Sequence, residues 1–138
     1  MIMKSLKIFT LEEANALIPV LETRMGKIFA KREAHAQRHD VLFMHQLLES
    51  AEGHAGYESV SPELEREIQQ MEDEITKLEK DVEEIHSLGC IVRSLEKGFI
   101  DFFSYHHGKK VFLCWKKGEN TIRYYHSSKD GMTQRLPL

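Results

Sequence analysis

No run of about eighteen consecutive apolar residues occurs in this 138-residue chain, and no short apolar stretch is followed by a small-residue cleavage site. Neither a membrane span nor secretion is therefore expected. Cysteine is scarce as well. Cys90 and Cys114 are too few for a disulfide framework and too far apart for a zinc motif, so two reduced thiols in a cytoplasmic protein are expected. The chain also lacks a nucleophile elbow, a phosphate loop and a metalloprotease helix.

Charge is present but unevenly placed. The net charge is −3, yet residues 61–88 hold ten acidic and three basic side chains while residues 89–138 hold nine Lys/Arg and four Asp/Glu. An acidic segment thus precedes a basic one, and each can complement the other within a molecule or across a dimer.

Within the acidic segment, Leu64, Ile68, Met71, Ile75, Leu78, Val82 and Ile85 recur in alternating steps of four and three. That period of about 3.5 is the seam of a coiled coil. Ser61 and Pro62 suit the helix start, and Gly89 suits its end. An earlier helix opens at Thr10 with a capping box to Glu13, carries Ala14, Ile18, Leu21, Met25 and Ile28 on one face, and should kink at Pro19. Its apolar pattern resumes at Leu42, Phe43, Leu47 and Leu48. A reversal near 53–60 then places residues 26–52 beside 62–88 in a hairpin spanning 10–88.

After Gly89 the period becomes two. Strands are expected at Cys90–Arg93, Phe99–Tyr105, Val111–Lys117 and Thr121–His126, with tight turns at His107-Gly108 and Gly118-Glu119 and a tail at 127–138. Two-residue loops align Phe102, Leu113 and Tyr124, with Ile100, Trp115 and Ile122 in the next row and Ser104, Val111 and His126 beyond. This is the core face, covered by the start of the first helix. The other face carries Asp101, Cys114 and Arg123 in one row and Phe103, Phe112 and Tyr125 in another. The fold class is α+β: a long antiparallel helical (coiled-coil) hairpin followed by a small antiparallel sheet of three to four strands, in a single domain.

Phe9-Thr10-Leu11-Glu12-Glu13-Ala14-Asn15-Ala16-Leu17-Ile18-Pro19, then Leu88-Gly89, Leu95-Glu96-Lys97-Gly98-Phe99-Ile100-Asp101-Phe102, Leu113-Cys114-Trp115, Gly118-Glu119, Ile122 and Tyr124-Tyr125-His126 form an ordered set. Closing with Gly131, Arg135, Pro137 and Leu138, that set resembles the uncharacterised bacterial domain-of-unknown-function family numbered 2203. The chain departs from the family pattern at Phe103, Tyr125 and Ser127. The resemblance implies a compact intracellular protein and assigns no activity.

Three constellations remain as candidate chemistry. His35 and His39 lie one turn apart on the seam of the first helix, near Glu72 and Glu79, and such a set can bind a divalent metal such as zinc. The alternative is a polar layer that sets register. Asp101, Cys114, Arg123 and His126 form a second polar set, readable as an Asp–Arg pair across a small thiol with a histidine at the strand end. The basic strands interleave Lys109, Lys110, Lys116, Lys117 and Arg123 with Phe112, Tyr124 and Tyr125, the pattern of an RNA-binding sheet, although the overall acidity weighs against nucleic acid. The expected function is a non-enzymatic interaction module, homodimeric through its hairpin and open to a protein partner. A divalent-metal-binding protein or metal-dependent enzyme using the hairpin histidines is the alternative, and an RNA-binding sheet a weaker one.

Overall fold

A computed structural model describes residues 7–51, 61–127 and 134–138. The expected reversal near 53–60 and Gly131 lie outside the described residues. Two compact units arise, one from the chain up to Lys27 together with Asp81–Leu138, the other from Ile28–Lys80.

Helix α1 (Leu11–Ala16) opens with the expected capping box. Thr10 N–H donates to Glu13 Oε1 at 2.9 Å, and Glu13 N–H donates to Thr10 Oγ1 at 3.0 Å. The helix stops at Leu17 and restarts as α2 (Ile18–Ala51). The break falls where Pro19 can donate no bond to Asn15. Helix α3 (Pro62–His86) starts on Ser61, whose Oγ accepts from Leu64 N–H at 3.1 Å. The turn after His86 closes on Gly89, with φ +100°, where a Cβ would sit 2.8 Å from Lys7 Cβ. Only glycine meets both demands without strain.

Five antiparallel strands follow in the order of the chain: β1 (Ile91–Ser94), β2 (Phe99–His106), β3 (Lys109–Lys116), β4 (Tyr124–Ser127) and β5 (Leu136–Pro137). The sheet has one strand more than the three to four expected, because the short segment at 136–137 pairs with β4 and offers no alternation of its own to read. The β2–β3 register is the expected one, with Phe102 opposite Leu113 and Ile100 opposite Trp115. Its turn carries His107 at φ 53° and Gly108 at φ 77°, both left-handed as a tight hairpin requires.

The β3–β4 register differs by one residue from the expected one: Leu113 faces Tyr125, and Phe112 faces His126. The connection from Lys117 to Arg123 is no two-residue hairpin, so turn length could not set the pairing. The slip moves His126 from the row of Ser104 to the face that carries Asp101 and Cys114.

The face with Ile100, Phe102, Ser104, Val111, Leu113 and Trp115 is buried, as expected. Phe9 meets Phe102 edge to face with centroids 5.1 Å apart, and Ser104 Oγ donates to Phe9 O at 2.6 Å. Asn15 Oδ1 accepts from Ile122 N–H and Thr121 Oγ1, and Glu22 Oε2 accepts from Gly118 N–H, so the start of the helical region is tied to the sheet.

In the other unit, Leu42, Leu64 and Met71 form a small core with Ile68 against it. Cross-helix bonds join His35 and Arg38 to Glu74, His45 to Glu67, and Ser61 to Glu49. These contacts pair rising with falling residue numbers, as antiparallel helices do, but offset by a few residues from the expected register. Periodicity along each helix does not encode this offset. No described helix is long and apolar enough to cross a membrane.

Candidate functional site

On the outer face of the sheet, β2 supplies Asp101, β3 supplies Cys114 directly opposite, and β4 supplies His126 one row further along. Asp101 and Cys114 are fully inaccessible and His126 is 2% exposed. His126 Nε2 and Asp101 Oδ2 are 2.8 Å apart, and Arg93 Nε donates to the same Oδ2 at 2.6 Å. Arg93 reaches Asp101 because the β1 ladder is irregular between Val92 and Ser94, and such irregularities re-aim a side chain. Among the described residues, Asp101 Oδ1 has no hydrogen-bond partner despite being buried.

His126 Nδ1 lies 3.0 Å from the Ser127 carbonyl and must donate to it, since that oxygen can only accept. Nε2 is then the nitrogen that faces Asp101. A single proton shared by Nε2 and Oδ2 satisfies the contact. Among the described residues, Asp101, Cys114 and His126 are the group of three whose ligand atoms all lie within 4.8 Å of one another.

Two guanidinium groups cover this face. Arg93 sits 4.9 Å from the Phe112 centroid. Arg135 sits 4.3 Å from that of Tyr124 and 5.2 Å from that of Phe99, while donating to the Cys114 carbonyl and to Glu119. Phe112 and Tyr124, two of the rings offered for base stacking, therefore each carry an arginine over one face.

Burial pushes the Cys114 thiol up to about 12. The Asp101 charge adds to this, while Arg135 acts in the opposite direction. Burial likewise pushes Cys90 up to about 12. Neither is a thiolate at neutral pH, so neither can act unaided as a nucleophile. The arginine near Cys114 is Arg135, and the one on Asp101 is Arg93. Arg123 is exposed, because the register places Tyr124, not Arg123, opposite Cys114.

The helical histidines are placed differently. His35 Nδ1 is 3.0 Å from Glu74 Oε1, and Arg38 Nε donates to Glu74 Oε2 at 2.7 Å. Burial would raise the Glu74 carboxyl, but the bonds from His35 and Arg38 outweigh it and hold the group below its usual range. His39, Glu72 and Glu79 are exposed. The helix register brings Glu74 to His35 instead of Glu72 or Glu79, and these four residues do not form a ligand cluster.

The helices carry a further feature. Val41, Met44, Leu47 and Leu48 on α2 are between 49% and 59% exposed, and Ile75 on α3 is 45% exposed. Val41, Met44, Leu48 and Ala51 follow steps of three, four and three, a second seam beside the one that buries Leu42. On α3 the inward face holds Leu64 and Met71 and leans towards Glu67 and Glu74, which leaves Ile75 outside. Sequence periodicity placed all seven apolar positions of α3 on one seam and could not tell which flank would be covered.

These features define an α+β protein with a buried Asp–Cys–His cluster on its sheet and an apolar stripe on its helices. A family model described as "Uncharacterized conserved protein (DUF2203)" matches residues 7–138, and the chain belongs to that family. No curated protein and no solved structure matches it.

Proposed function

We propose that the protein is a non-enzymatic, cytoplasmic interaction module in which α2 and α3 form an antiparallel coiled-coil hairpin that pairs with a second copy as a four-helix bundle. The observation that carries this reading is the second seam with Val41, Met44 and Leu48, flanked by Leu47, each about half exposed, with Ile75 exposed on α3. A fully buried aliphatic side chain contributes about 1.5–3 kcal/mol, so covering the exposed half of each position contributes roughly 1 kcal/mol. Five positions on each of two copies supply on the order of 10 kcal/mol before the cost of association. A two-fold bundle buries the same patch on both copies and closes the assembly.

Sedimentation equilibrium tests the proposal. The 16.1 kDa chain should sediment as a particle of about 32 kDa, the mass of a closed pair. A monomer throughout the micromolar range would reject it.

A further inference from the structure

We propose that Asp101, Cys114 and His126 bind one transition-metal ion of the zinc class. The three side chains come from three adjacent strands, are fully or almost fully buried, and hold their ligand atoms within 4.8 Å of one another. Tetrahedral bonds of about 2.0–2.3 Å to nitrogen, oxygen and sulfur require ligand atoms about 3.4–3.6 Å apart, so no separation within the cluster must shorten by more than about 1.4 Å.

Two further observations point to a ligand. Asp101 Oδ1 is buried without a partner among the described residues, and leaving a carboxylate oxygen so is costly. A cation bound there gives it one, while Oδ2 keeps its bond from Arg93. Second, His126 Nδ1 is committed to the Ser127 carbonyl, which orients the ring and leaves Nε2 as the nitrogen that can take the ion once the proton it shares with Asp101 departs. Arg93 on the carboxylate and Arg135 on the Cys114 carbonyl then serve as outer supports.

Donor chemistry selects the ion. Thiolate, imidazole and carboxylate together suit zinc, cobalt or iron in the divalent state and do not suit magnesium or calcium. Charge balances too, because a carboxylate and a thiolate neutralise the two charges of the ion. Binding therefore expels the thiol proton and the proton shared by Nε2 and Oδ2. Both leave to solvent, with no change of oxidation state.

The test uses the full chain stripped with chelator and then titrated with Co2+ and Zn2+. Expected are one equivalent of Co2+ per chain, a near-ultraviolet thiolate-to-cobalt band, displacement of that band by Zn2+, and release of about two protons per ion in calorimetry across buffers. Cys114→Ser should abolish the band and weaken Zn2+ binding at least tenfold, whereas Cys90→Ser and the His35→Ala/His39→Ala double change should leave both intact. Should Cys114→Ser fail to fold, the wild-type and Cys90→Ser spectra still decide. Uptake without a thiolate band, a band lost with Cys90, or no stoichiometric uptake by folded protein would each overturn the proposal. Sedimentation of the metal-free chain is a separate readout, so this site and the dimer stand or fall independently.

Discussion

Replacing Asp101 with Asn in metal-free protein removes the charge that the interior of the outer face is arranged around. Asp101 is fully inaccessible, and its Oδ2 is met by Arg93 at 2.6 Å and His126 at 2.8 Å. Breaking a buried pair by neutralising one member costs about 3–5 kcal/mol when the other charge stays buried. The charge left behind is that of Arg93, whose side chain is 40% exposed and can be rehydrated, which lowers the cost, while His126, 2% exposed, keeps its ring nitrogen buried beside the new amide. An amide oxygen also still accepts one bond. A destabilisation of roughly 2–4 kcal/mol results, which for a chain of this length is a fall in Tm of roughly 10 °C. Urea unfolding followed by the fluorescence of Trp115, the single tryptophan and fully buried, measures it directly. In the double variant with His126→Ala the two costs should fail to add, with a coupling of about 1–3 kcal/mol. A loss below about 1 kcal/mol, or strict additivity, would show that Asp101 and His126 are not a buried bonded pair.

Gly89→Ala should destabilise by roughly 2–3 kcal/mol in thermal melts, since φ +100° is strained for alanine and the new Cβ meets Lys7 Cβ at 2.8 Å. Both thiols, raised to about 12, should fail to react with a thiol reagent at pH 8 in the native protein and react fully in denaturant. Burial holds the His86 imidazole below its ordinary value, with Glu83 opposing. The native state thus binds fewer protons at that site than the unfolded chain, and the contribution is present above a pH of about 6.5 and lost as pH falls below it. His86→Gln should flatten the decline in unfolding free energy between pH 7 and 5, and an unchanged slope would remove His86 as its source.

Local chemistry made much of the fold legible. The capping box at Thr10 and Glu13, the Pro19 break, the Ser61 cap and the left-handed Gly89 are each decided by residues a few positions apart. The β2–β3 register was legible for the same reason, because His107-Gly108 is a two-residue turn. What the sequence could not reveal depended on longer connections. The segment from Lys117 to Arg123 hid the β3–β4 register and with it the place of His126 beside Asp101. Asp101, Cys114 and His126 stood together as a candidate set, but Arg93 and Arg135 were missed. One works through an irregular strand and the other stands just before a strand of two residues, and neither leaves a periodic signal. The span between Ala51 and Ser61 likewise hid the helix register, so Glu74 was not foreseen as the partner of His35.

The most direct measurement of the proposed assembly compares the wild type with Met44→Glu/Leu48→Glu in sedimentation equilibrium at equal micromolar concentration. Both positions are more than half exposed in the single chain, at 56% and 59%, so charge there leaves the monomer folded. The wild type should sediment at about twice the mass of the double variant, whose glutamates cannot be buried in a closed bundle. Equal masses for the two proteins, whether monomer or dimer, would contradict a pairing made through this seam.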